Sequence, residues 1–128
     1  MPIALDCRYR PGGAHDRLPI RAVHLDYMIA NQARVLHGGP SLADGELVGM
    51  YLLLATDDPA QADDFLTGEP YARAGLFAEV RRTLFTGYLP EPREGFLHEL
   101  RREAARGVPA SDSVSYTHLR AHETRGNL

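Results

Sequence analysis

Apolar positions alternate along the first strand-like segment. Ile3, Leu5, Cys7 and Tyr9 share one face at period two, which predicts a β-strand over residues 2–9. Pro11-Gly12-Gly13 breaks it. The period then changes. Leu18, Ala22, Leu25 and Ile29 recur three and four apart, which predicts a helix over residues 16–33 with this apolar stripe inward. Asp16 is its expected N-cap, and Pro19 is tolerated in its first turn. Residues 34–37 read as a short strand stopped by Gly38-Gly39-Pro40, and Ser41 to Gly45 as a connection. Residues 46–55 are almost wholly apolar and predict a central strand. Asp57-Asp58-Pro59 opens a second helix, with Ala62, Phe65 and Leu66 inward and Gly68 at its end. Glu69-Pro70-Tyr71 starts a further turn or short helix that stops near Gly75, and residues 76–85 predict the last core strand.

The resulting order, β-α-β-β-α-β, is the split βαβ arrangement of ferredoxin-like folds. It predicts an α+β protein whose helices lie on one face of an antiparallel sheet. The other face is expected to be apolar and open, and a second copy of the chain is its natural cover. Residues 1–89 are expected to form this domain. Residues 90–107 follow as a linker and a helix over residues 94–106, with Gly107 just past its end. From Val108 the chain is polar and unpatterned. Residues 114–124 resemble a recurrent translated adapter or vector sequence, so residues 108–128 are expected to be a disordered or artefactual tail. His118 and His122 have a spacing that can hold a metal on a helix, but they fall in this tail. No metal site is therefore expected.

Composition narrows the function classes. The 128 residues suit one domain, and the formal net charge of -3 supplies no basic surface for nucleic acid. No apolar run reaches the roughly 20 residues that span a bilayer, and no secretory signal is visible. Cys7 is the lone cysteine, so a reducing, cytoplasmic setting is expected. Cys7 itself reads as core, because nothing near it in sequence would activate a thiol. The chain has no lysine, which removes Schiff-base chemistry on that side chain.

His24 is the first candidate for chemistry. Arg17, Arg21 and His24 fall four and three apart, on one helix face. Imidazole exchanges a proton near neutral pH and suits general acid–base work. A solvated surface histidine beside two arginines fits the same spacing. Glu69 is the second. Its carboxylate can hold an imidazole in place, or it can serve as an ordinary helix-capping acid. Tyr71 offers a hydroxyl to a ligand, or packs its ring and points outward. Gly39 and Pro40 can bring backbone close to a ligand, although no lysine follows as in a phosphate cradle. His37 lines the same region or faces solvent. Asp57, Asp58, Asp63 and Asp64 read as a solvated acidic face, and His98 as exposed.

Several of these pieces occur together in one order. Arg21-x-x-His24-Leu25, Gly38-Gly39-Pro40, Gly49 and Glu69-Pro70-Tyr71-x-x-Ala74-Gly75-Leu76 resemble the YciI-like (YCII-related) family over residues 3–85. The resemblance implies a ferredoxin-like homodimer of the dimeric α+β barrel group. It also implies a pocket between helix and sheet, with His24 and Glu69 as the active pair. The family pattern has aspartate where this chain has Glu69. Most of the family has no assigned reaction, while one relative type is a dehydrochlorinase of chlorinated hydroxyhydroquinones. The function so implied is a cofactor-independent lyase or isomerase acting on a small, cyclic compound. His24 would be its base or acid, and Arg21, Tyr71, Gly39 and Pro40 its substrate contacts. A non-catalytic dimeric module that binds a small metabolite is the alternative, and a domain kept only for assembly is a third.

Overall fold

The structure, a computed structural model, describes residues 1–107. The adapter-like tail and its two histidines lie outside the described residues. Four strands form one antiparallel sheet: β1 (Ile3–Tyr9), β2 (Val35–Ala43), β3 (Glu46–Leu54) and β4 (Phe77–Leu84), in the order β2-β3-β1-β4. β1 and β2 both run antiparallel to the β3 that separates them. This is the split βαβ topology, and the fold is ferredoxin-like α+β.

The core lies on one face of the sheet. Ile3, Leu5 and Cys7 pair with Leu54, Leu52 and Met50 in register, so six side chains project to the same side. Ala62 and Phe65 cover them from α3 (Pro59–Gly68). Asp58 caps this helix by accepting the Ala60 N–H at 2.9 Å.

The first helical region departs from expectation. It is split into α1 (Gly13–Asp16), a 3₁₀ turn over Leu18–Ile20 that contains Pro19, and α2 (Arg21–Ala30). Asp16 therefore ends α1 instead of capping a long helix, and its carboxylate pairs with Arg10 at 3.0 Å. The stripe expected inward faces outward, with Leu18, Leu25 and Ile29 exposed by 55%, 40% and 66%. The 3₁₀ turn takes Leu18 out of phase with α2. His24, Tyr27 and Met28 turn inward in its place. Tyr27 fixes that rotation, because its hydroxyl donates to the Phe65 carbonyl at 2.7 Å. Its ring also lies where a Cβ on Gly68 would sit, only 2.9 Å away, so α2 and α3 approach closely through a glycine.

Strand β2 does not stop at Gly38-Gly39-Pro40 but runs through it to Ala43. It is an edge strand, where a proline without an N–H is tolerated. The hairpin to β3 is tighter than expected, with Asp44 and Gly45 both at positive φ (51° and 77°), as a two-residue turn requires.

The face opposite the core is not the continuous apolar surface expected. Ala4 and Leu53 pair across strands there and are buried. Farther along, Asp6, Arg8, Glu79 and Arg81 occupy it, with ion pairs at 3.0 Å (Arg8–Asp6) and 3.4 Å (Arg81–Glu79). The C-terminal helix α5 (Phe96–Ala105) is shorter than expected and starts after Gly95 at φ 82°. Its Phe96 ring meets Tyr88 edge to face at 5.2 Å. Among the described residues no helix is long and apolar enough to cross a membrane.

Candidate functional site

His24 lies one turn into α2 and faces the short helix α4 (Pro70–Arg73). Glu69 is the N-cap of α4, and Pro70 takes the first helical position, where its missing N–H costs nothing. The two carboxylate oxygens divide two tasks. Oε1 accepts the Ala72 N–H at 3.0 Å, and Oε2 lies 2.7 Å from Nδ1 of His24. Capping acid and histidine partner, weighed as alternatives in the sequence, are thus combined in one side chain. Glu69 is fully buried and His24 is 9% exposed. A buried carboxylate is tolerable only when its oxygens are bonded, and both are.

Tyr71 lies flat against the His24 ring, with centroids 3.8 Å apart and planes 4° from parallel. Tyr9, the last residue of β1, meets Tyr71 edge to face at 6.2 Å and stacks on Phe77 at 5.3 Å. Burial pushes the Tyr71 hydroxyl above its ordinary pKa. The Arg17 and Arg21 charges oppose that shift, and Glu69 adds to it. Burial and then Tyr71 push Tyr9 up to about 12, with Arg17 again opposing. Both hydroxyls therefore stay protonated at neutral pH and remain donors.

A cavity of about 570 Å³ opens between α2 and strands β2 and β3. That is within the usual range for a small-molecule site, roughly 300–1,000 Å³. Arg21 and His24 of α2 line it together with Arg17, which lies at the junction of α1 and the 3₁₀ turn and so not on one helix with them; Gly38, Gly39 and Pro40 of β2 and Tyr71 of α4 line it too. Glu69 does not reach the cavity but stands behind His24. With Nδ1 facing Glu69, Nε2 is the ring nitrogen without a partner among the described residues. The arrangement can orient an imidazole and leave one nitrogen for proton transfer. Leu25, Met28 and Leu47 supply an apolar lining.

The other candidates separate from this cluster, except His37, which lines the cavity. Cys7 belongs to the core, where burial, then the Glu69 and Asp6 charges, push its thiol up to about 12. Asp57, Asp58, Asp63 and Asp64 are exposed, as is His98. Among the described residues no group of three or more His, Cys, Asp or Glu is placed to hold a metal ion. Two residues at the cavity were not selected from sequence. Arg17 was visible in the Arg17-Arg21-His24 spacing, but nothing local marked it as lining a pocket. Tyr9 was visible only as the end of an alternating strand.

Fold and site together define a ferredoxin-like α+β protein with a buried histidine–carboxylate pair beside a cavity of about 570 Å³. The chain belongs to the YCII-related domain family, whose model matches residues 1–86. Among solved structures it is similar to 5-chloro-2-hydroxyhydroquinone dehydrochlorinase (TftG) from Burkholderia phenoliruptrix AC1100, in complex with 2,5-dihydroxybenzoquinone. The likeness has a TM-score of 0.65 at 25% identity and covers 71% of this chain and 99% of that one. No curated protein matches the chain.

Proposed function

We propose that this chain is a cofactor-independent lyase or isomerase acting on a small cyclic compound, with His24 exchanging the proton and Glu69 orienting it. The observation that carries this reading is the 2.7 Å contact between Nδ1 of His24 and the fully buried Glu69. A carboxylate behind an imidazole selects its tautomer and stabilises the imidazolium that forms when the ring takes a proton. The glutamate in place of the family's aspartate keeps that contact at hydrogen-bonding length. Arg21 and Tyr71 then bind the substrate, and Gly39 and Pro40 let it lie close to the strand backbone.

The similar dehydrochlorinase makes elimination of HCl the sharpest form of this reading. In a chlorinated hydroxyhydroquinone one hydroxyl proton moves to the chlorine-bearing ring carbon. A second hydroxyl gives its proton to His24 as the C–Cl bond breaks. Chloride and one proton leave, and the ring becomes a quinone. Loss of HCl balances the change, so no external oxidant is needed. Incubating the chain with chlorinated hydroxyhydroquinones should release chloride, and His24→Asn should slow release by about 10²–10⁴-fold, the usual worth of a general acid–base group. Release that is unchanged in His24→Asn sinks the reading.

An observation also favours binding without catalysis. His24 is held on its ring face by Tyr71 and at Nδ1 by the buried Glu69, an arrangement that equally serves a rigid receptor wall. Tight binding of the ring compounds with no turnover in the same assay selects that alternative. Both readings take the chain as a homodimer. The 42%-exposed Tyr51, on the same face as Asp6, gives the uncovered sheet face an apolar point of contact for a second copy. The same preparation should sediment as a dimer; a monomer removes the homodimer and leaves the His24–Glu69 pair standing.

A further inference from the structure

We propose that Arg17 binds the anionic oxygen of the substrate, so that the cavity selects ring compounds in their enolate, phenolate or carboxylate form. The inference rests on the proposed function for the identity of the pocket, and extends it to the charge state of the substrate. The wall carries two guanidinium groups and two imidazoles, from Arg17, Arg21, His24 and His37, and no aspartate or glutamate. None of the described ion pairs includes Arg17 or Arg21. The cavity is therefore cationic and has no counter-charge of its own on its surface.

Arg17 is distinguished from Arg21 in two ways. It is half-buried where Arg21 is exposed, and its Nη1 is buried without a hydrogen-bond partner among the described residues. A buried, unmet donor on a half-buried cation is costly, and an anion beside the same guanidinium offsets that cost. The Arg17 charge is felt at the hydroxyls of both Tyr9 and Tyr71, whereas that of Arg21 is felt at Tyr71 alone. Tyr71 is the ring stacked on His24. Arg17, His24 and Tyr71 line the same cavity, so an anion held by Arg17 shares it with the imidazole. The guanidinium is suited to this because it presents several donors in a fixed plane and stays charged. Partial desolvation makes the attraction stronger than at an exposed arginine.

Calorimetric titration with 2,5-dihydroxybenzoquinone and its dimethyl ether tests the point. The first is a vinylogous acid and ionises; the second has the same ring and cannot. Wild type should bind the anion at least about tenfold more tightly than the ether, a difference of about 1.4 kcal/mol. Arg17→Gln should lose that preference with its affinity for the ether unchanged, and Arg17→Lys should recover part of it. A merely structural role would weaken both ligands together, which overturns the inference, as does an Arg17→Gln variant that binds the anion like wild type, or a wild type that binds neither. The failure of this inference and that of the lyase reading are separable. Anion preference that depends on Arg17 without chloride release removes the reaction alone. Chloride release undiminished in Arg17→Gln removes the anion site alone.

Discussion

The two faces of the sheet use charge in opposite ways, although the same strands build both. On the face covered by helices, Glu69 is fully buried behind His24 and reaches no water. On the other, Asp6 and Arg8 pair within one strand at 3.0 Å, with the arginine side chain 52% exposed. Similar geometry carries different energies. Removing one member of a buried pair leaves an unsatisfied group in a low-dielectric setting, while an exposed pair hands its partner back to water. The covered face therefore holds its histidine in one orientation at a cost in desolvation. The uncovered face gains solubility from charges that contribute little to the fold.

The largest effect is expected at the buried pair. Glu69→Ala strands the Ala72 N–H and Nδ1 of His24 together, and should lower unfolding stability by about 3 kcal/mol in urea titration. Glu69→Gln keeps an acceptor oxygen and should lose visibly less. Equal loss in the two variants would mean that the carboxylate charge, not the acceptor geometry, sustains the site.

A smaller effect is expected from the neighbour of Asp6 in β1. Cys7 turns to the covered face, and its thiol is pushed up from 9.0 to about 12, by burial first and then by Glu69 and Asp6. A group raised in the folded state favours folding fully below its unfolded pKa. Its contribution is then lost as pH rises toward the folded value. Stability should accordingly fall between pH 9 and 12, by about 2 kcal/mol near pH ~10.5 from Cys7 alone, at 1.36 kcal/mol per pKa unit. Tyr9, also raised, adds in the same direction. Urea titrations across that range should show a flatter decline in Cys7→Ala than in wild type. Parallel declines would assign the alkaline loss to other groups.

The smallest effect belongs to the uncovered face. Asp6→Ala should change stability by no more than about 1 kcal/mol, and salt should erase the difference. A larger, concentration-dependent loss would instead show that Asp6 sits inside an interface between two copies.

Much of the architecture was legible along the chain, because each strand and its helix partner carry a local period. Ile3, Leu5 and Cys7 announced β1, the apolar run over residues 46–55 announced β3, and Asp58-Pro59 announced the start of α3. Together they determined the ferredoxin-like order. His24 and Glu69 could be selected as residue types suited to proton transfer, and the resemblance to the YCII-related family placed them in one site. What local pattern could not determine was rotation and distance. The stripe of Leu18, Leu25 and Ile29 was periodic but faces outward, since Tyr27 and the glycine at 68 set how α2 rolls against α3. Gly38-Gly39-Pro40 resembled a break but continues β2, because an edge strand does not need the proline's hydrogen bond. The contact of His24 with Glu69 spans 45 positions in the chain and depends on two helices docking on one sheet. The charge of the cavity was equally out of reach, because Arg17 became part of a wall without acids only when β2 and β3 closed the other side. Periodicity records which residues prefer to be buried together; only packing decides which of them meet.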